Sequence, residues 1–261
     1  TSWDISGDGT EFHHFYDIAN IIQTSDGGGV VSLTVSLGDN ASNEAYPAIA
    51  KMDSQGALEY YLGFKFDSDE SKKYYWESGA VMQGVNDNEY YIIGESRRVG
   101  FSSSEQIRLF KLTDTGSEFT LDELYNLSSL SGAPTEGVNN QYNDVTNVHE
   151  ASSSLFHFSL ATGGSVSGIS SFKISNPNSN PTITYEGTAD VLGGISDYYE
   201  IKSSGNDTYL VMGSSGNIYV QKINMSSLTT EWDKWIDVFN AGYQELFGGL
   251  TITDDGIAIS G

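Results

Sequence analysis

The chain has 261 residues, 38% of them hydrophobic, no cysteine, and 35 acids against 12 bases, for a formal net charge of −23. A field of that sign repels phosphate backbones and anionic lipid, so nucleic acid and membrane surfaces are not expected partners. No apolar run approaches the roughly 20 residues of a spanning helix, and disulfides and thiolate metal sites are ruled out.

Thr1 to Ser6 reads as a lone strand with Trp3 and Ile5. A first unit of four strands, A to D, then spans about 12–66: Ile18 to Thr24, Val30 to Val35, Tyr46 to Asp53 and Ala57 to Phe64, with turns at Ser25-Asp-Gly-Gly and Ser54-Gln-Gly. β-Rich runs separated by glycine, aspartate and asparagine predict an antiparallel meander. The second unit, 75–127, has strands at Gly79 to Val85, Glu89 to Gly94, Gln106 to Leu112 and from Glu118 onward. The third, 141–189, is less regular: Asp144 to Glu150, Leu155 to Leu160, Gly168 to Ile174 and Thr182 to Glu186. The fourth, 195–239, is the cleanest, with Tyr198 to Lys202, Thr208 to Met212, Asn217 to Ile223 and Thr230 to Ile236. A fifth, 243–261, shows only Leu250 to Thr253 and Ile257 to Gly261.

One lysine recurs at the same point of the third strand: Lys51-Met-Asp, Lys111-Leu-Thr, Lys173-Ile-Ser and Lys222-Ile-Asn, spaced by 60, 62 and 49 residues. Small four-stranded sheets repeated at that period pack most simply around an axis. The expected fold is therefore an all-β, five-bladed β-propeller forming a single domain over 1–261, with the N-terminal strand 1–6 completing the last blade. The competing arrangement is a two-sheet sandwich or a β-solenoid.

Thr24-Ser-Asp-Gly-Gly-Gly-Val-Val, Ala50-Lys-Met-Asp-Ser-Gln-Gly-Ala-Leu-Glu-Tyr and Lys111-Leu-Thr-Asp-Thr-Gly-Ser-Glu-Phe resemble the repeats of secreted bacterial β-propellers. Those repeats pair an Asp-Gly-Gly turn with a Lys-Leu-Asp-x-x-Gly-x-x-x-Trp segment. Tyr60, Phe119 and Trp232 stand at or near the aromatic position, while the third unit departs from the pattern. The resemblance implies a propeller and a secreted or cell-surface setting, without an activity. Asp114-Thr-Gly-Ser-Glu-Phe also resembles the Asp-box turn of sialidase-type propellers. A sialidase needs arginines from separate blades to grip a carboxylate, and this chain has only Arg97, Arg98 and Arg108, all in the second unit.

No catalytic constellation stands out. Gly164-Ser-Val-Ser-Gly has valine where a nucleophile would be, and His149-Glu150 lacks the second histidine of a zinc helix. One group recurs in register: aromatics with an acid just before each A strand, at Tyr16 with Asp17, Trp76 with Glu77, Tyr142 with Asp144, Asp197 with Tyr199, and Tyr243 with Glu245. Around a channel mouth these carboxylates would suit Ca²⁺, and the aromatic faces would suit sugar rings. Equally, the acids can serve turns and the aromatics can fill the wedge between blades. Asp4, Ser6, Asp8 and Thr10 supply the first half of a calcium loop, with Phe15 where the bidentate glutamate would stand. No cofactor is required by these residues; Ca²⁺ is the metal they suit.

Asn40, Asn126, Asn206 and Asn224 head glycosylation sequons. Abundant serine, threonine, asparagine and glycine with few lysines fits an extracellular protein. The expected function is a non-catalytic extracellular or cell-surface binding or assembly module with a glycan, calcium or protein partner. The alternatives are a carbohydrate-active enzyme using two acids such as Asp17 and Glu77, and a surface-filament subunit that self-assembles through the C-terminal edge at Ile257 to Gly261.

Overall fold

The computed structural model describes residues 12–37, 45–64, 74–84, 86–98, 106–133, 145–152, 155–162, 168–176, 181–191, 199–214, 217–237, 249–253 and 256–260. These form eighteen strands and one 3-10 turn at Leu127–Ser129. The chain divides into two compact units: 1–130 with 134–137, and 131–133 with 138–261.

The first unit holds two four-stranded antiparallel sheets. One consists of β1 (Phe12–Gln23), β2 (Gly29–Leu37), β3 (Ala45–Met52) and β4 (Leu58–Gly63), in that spatial order. The other consists of β5 (Tyr74–Gln83), β6 (Glu89–Arg98), β7 (Gln106–Asp114) and β8 (Phe119–Asn126). The second unit holds β9 (Val145–Ser152), β10 (Leu155–Thr162), β11 (Gly168–Ser175) and β12 (Thr182–Asp190), then β13 (Tyr199–Ser204), β14 (Asp207–Ser214), β15 (Asn217–Asn224) and β16 (Thr229–Asp237). Each of these quartets is an antiparallel meander, and β17 (Gly249–Thr253) pairs with β18 (Gly256–Ser260) in a two-stranded sheet.

The turns follow from their residues. Gly27 takes φ +83°, and a Cβ on Gly28 would collide with the Met52 carbonyl oxygen, so the Asp-Gly-Gly turn needs its glycines for both conformation and space. The turn after β3 is closed by Asp53, whose carboxylate accepts from Gln55 N at 2.9 Å and Ala57 N at 2.8 Å. Asn224 does the same after β15, accepting from Ser226 N at 3.0 Å and Ser227 N at 3.2 Å.

Within each unit, successive sheets stack face on face. In the first unit, Val30, Ile49, Phe64, Trp76, Tyr90, Ile92, Phe110 and Phe119 form one core between the two sheets. The rings interlock edge to face, with Phe64 and Phe110 centroids 4.8 Å apart and Tyr60 and Phe119 5.3 Å apart. In the second unit, Ile169, Ala189, Leu210, Met212, Tyr219 and Ile223 fill the space between the third and fourth sheets. The opposite face of the fourth sheet packs Val211 and Val220 against Leu250 of β17.

All four repeated lysines lie on the third strand of their sheets, as the repeat predicts: Lys51 on β3, Lys111 on β7, Lys173 on β11 and Lys222 on β15. The first strands depart from the sequence reading. β1 and β5 start six and five residues before the A strands expected at Ile18 and Gly79, and their pairing is broken between Phe12 and His14, Phe15 and Asp17, Ile18 and Asn20, and Glu77 and Ala80. Bulges of this kind interrupt the alternation that marks a strand in sequence.

Candidate functional site

The fourth strand of every four-stranded sheet carries one residue that has no partner opposite it. The register skips Glu59 on β4, Asp122 on β8, Glu186 on β12 and Glu231 on β16. All four are acids. A charged bulge on an edge strand twists the edge and opposes the addition of another strand.

Three of the four lysines across from these edges, Lys51, Lys111 and Lys222, are tied to carboxylates. Lys51 Nζ donates to Asp26 Oδ2 at 2.6 Å and to Thr24 Oγ1 at 2.9 Å, and its side chain is 4% exposed. The hydrogen bond from Lys51, then those from the Thr24 hydroxyl and Gly28 N, hold the Asp26 carboxyl well below the usual carboxylate range. Lys111 pairs with Glu89 at 2.9 Å. Lys222 lies between Asp207 at 2.8 Å and Glu231 at 2.7 Å, which raise its affinity for a proton. Lys222 in turn holds the Glu231 carboxyl below its ordinary range. The ammonium also lies 5.8 Å from the Tyr209 ring centroid. These lysines act within their sheets as fixed charges.

Directly opposite Lys51 stands Tyr60, and opposite Lys222 stands Trp232. Tyr60 faces the following sheet, where its Oη donates to Asp114 Oδ1 at 2.6 Å and its ring packs on Phe119. Burial first, then the Asp114 bond, holds its proton on far above the usual phenol range. The Asp-box-like turn therefore serves the packing of the two sheets, since the Asp114 carboxylate accepts from Tyr60 Oη and Gly116 N, and Phe119 is buried. Phe119 does not share the position of Tyr60 and Trp232, because Lys111 faces Glu123 instead.

Trp232 has a different environment. It shares one face of the fourth sheet with Tyr209, Val220 and Ile218, and β17 and β18 cover only part of that face. Trp232 is 37% exposed, Trp235 54% and Ile236 42%. Three of the five large hydrophobics exposed among the described residues thus lie on β16. Trp235 belongs to the opposite face, where its ring packs on Tyr219 at 4.8 Å. β16 therefore presents an aromatic ring on each side of a sheet edge, beside Lys222, Asp207 and Glu231.

The residues expected around a channel mouth divide as follows. Tyr16 and Asp17 lie on β1 and Trp76 and Glu77 on β5, inside the first strands rather than in the connections before them. Glu77 pairs in register with Glu95. Trp76 is not a surface ring: it is 1% exposed and packs on Phe110 at 5.4 Å, because β5 turns it into the core between the sheets. Tyr199 begins β13. Tyr142, Asp144, Asp197, Tyr243 and Glu245 lie outside the described residues, as do Asp4, Ser6, Asp8, Thr10 and Asn40. Asn206 is exposed at the tip of the β13–β14 turn, the Asn224 side chain closes its own turn, and Asn126 ends β8. No group of three or more histidines or carboxylates is placed to hold a metal among the described residues. Arg97 and Arg98 end β6, and Arg108 on β7 donates to Ser96 Oγ and Gln106 Oε1, both at 2.7 Å. All three arginines belong to one sheet.

Repeated four-stranded antiparallel meanders make this an all-β protein of the β-propeller class. Among solved structures, it is similar to the Trypanosoma rangeli sialidase in complex with the inhibitor DANA, at 13% identity and a TM-score of 0.60, over 98% of this chain and 45% of that one. It is also similar to a mutant of the Trypanosoma rangeli sialidase displaying trans-sialidase activity, at 14% identity and a TM-score of 0.53, over 90% of this chain and 39% of that one. The chain spans less than half the length of these structures. At such identity the likeness concerns the fold alone. No family model and no curated protein matches the chain.

Proposed function

We propose that this protein is a non-catalytic binding or assembly module that works outside the cell or at its surface. The observation that carries this reading is the concentration of exposed aromatic and aliphatic side chains on β16, at an edge whose lysine is already neutralised by two acids. Clustered exposed apolar residues with a polar surround mark contact surfaces. The ion pairs of Lys51, Lys111 and Lys222, by contrast, are made within single sheets. A sialidase mechanism is disfavoured by the confinement of all three arginines to one sheet.

A second reading is a carbohydrate-active enzyme using Asp17 and Glu77. Asp17 and Glu77 both flank irregularities in a first strand, and bulges often re-aim side chains beside active sites. A polysaccharide panel scored for reducing ends tests the two readings, using wild type and the Asp17→Asn/Glu77→Gln variant. The module predicts no turnover by either protein. Turnover by wild type that the double substitution abolishes would establish the enzyme.

A further inference from the structure

We infer that the free edge of β16 takes up an extended polypeptide segment in which basic and apolar residues alternate, an inference that rests on the binding-module reading and names its partner. β16 pairs only with β15 among the described residues, and the backbone groups along its other side have no strand partner among them. Its guard is also weakened. The bulge acids Asp122 and Glu186 bond to neighbouring threonines, whereas Glu231 is drawn back to Lys222, which it shares with Asp207, and is bonded by Asn224. From Glu231 to Ile236 every residue of β16 is exposed.

The two faces of the strand specify the occupant. Trp232, Lys234 and Ile236 pair with Lys222, Val220 and Ile218 on one face. Asp233 and Trp235 pair with Gln221 and Tyr219 on the other, and Asp237 holds the next position of that row. An added strand that sets apolar side chains beside Trp232 and Ile236 must set its alternate side chains beside Asp233 and Trp235. Lysine or arginine there meets a carboxylate and the face of an indole, and the net charge of −23 favours the same sign. A sugar fits this arrangement poorly, since it stacks on one ring face and the two indoles are on opposite sides of the edge.

A second copy meets an obstacle in two of its registers. Two-fold antiparallel pairing of β16 with itself brings residues of the same face together. Centring on Asp233 sets that residue against itself, and centring on Trp235 sets Asp233 against Asp237. Both registers oppose like charges, which destabilises a sheet.

The test uses the full chain with two decapeptide probes of identical composition: lysine and valine alternating, and five lysines followed by five valines. Hydrogen exchange and tryptophan emission read the binding. The expected result is that the alternating peptide binds at least about tenfold more tightly and slows exchange in Thr229–Asp237. Asp233→Lys and Trp232→Ala should each weaken binding about tenfold, with circular dichroism unchanged because both residues are exposed. Equal binding of the two peptides, protection outside Thr229–Asp237, or protection of that strand only by a polysaccharide would overturn the inference. None of these outcomes disturbs the module reading, which falls only if wild type shows turnover.

Discussion

Glu89 and Lys111 offer a quantitative test of how the sheets are held. Both side chains are 11% exposed, and their charged atoms lie 2.9 Å apart. Removing one member of a buried ion pair leaves the other charge in a poorly hydrated site, which costs about 3–5 kcal/mol. Glu89→Ala should therefore destabilise the first unit by about that amount. At about 2–4 °C per kcal/mol for domains of this size, the melting temperature should fall by about 6–20 °C. Replacing both partners with apolar residues of similar volume, as Glu89→Leu with Lys111→Met, removes the uncompensated charge. That double variant should lie within about 1 kcal/mol of wild type or above it. Urea unfolding followed by circular dichroism measures all three proteins. A loss below about 1 kcal/mol for Glu89→Ala would place the pair in the surface class. A double variant as unstable as the single one would show that the pair does more than cancel its own desolvation.

Three further outcomes follow from the geometry. Burial pushes the phenols of Tyr90 and Tyr219 from the ordinary 10.0 up to about 12. The folded state thus holds protons that the unfolded chain loses, so this stability is complete below pH 10.0 and should disappear as the pH rises towards about 12. Ultraviolet titration should show these phenolates forming together with unfolding; free ionisation near 10.0 in the folded protein would refute the burial. Gly28→Ala drives a methyl into the Met52 carbonyl and should cost about 1–3 kcal/mol, while a neutral effect in a melt would show that the turn is loose. Tyr60→Phe removes the 2.6 Å hydrogen bond to Asp114 across the two sheets and should cost about 1.5–3 kcal/mol; an unchanged melting temperature would contradict that role.

The repeat was legible because three of its four lysines, Lys51, Lys111 and Lys222, do the same physical work. A poorly hydrated cation towards the end of a third strand needs an acid nearby, and each of these lysines finds one. The first strands were less legible, since the bulges at Tyr16 and after Glu77 break the period-two alternation. Of the two roles that the sequence left open for Trp76, a ring for stacking on a ligand and a filler of the wedge between sheets, β5 gives it the second. The exposed row on β16 was written in the sequence as Glu231-Trp-Asp-Lys-Trp-Ile, but its meaning depends on register. Only the unpaired position of Glu231 sets Trp232 opposite Lys222 and leaves Trp235 on the other face. How much of the sheet face the last two strands cover is a tertiary fact that no local pattern encodes.

The most direct test of a contact surface on β16 is acrylamide quenching of tryptophan emission as the alternating lysine–valine peptide is titrated into the full chain. Trp232 and Trp235 should account for most of the quenching seen among the described tryptophans, because Trp76 is 1% exposed. The quenching slope should fall as the peptide saturates the protein, and it should be insensitive to the peptide in a Trp232→Phe/Trp235→Phe variant. Saturable binding that leaves the wild-type slope unchanged would place the contact elsewhere on the molecule.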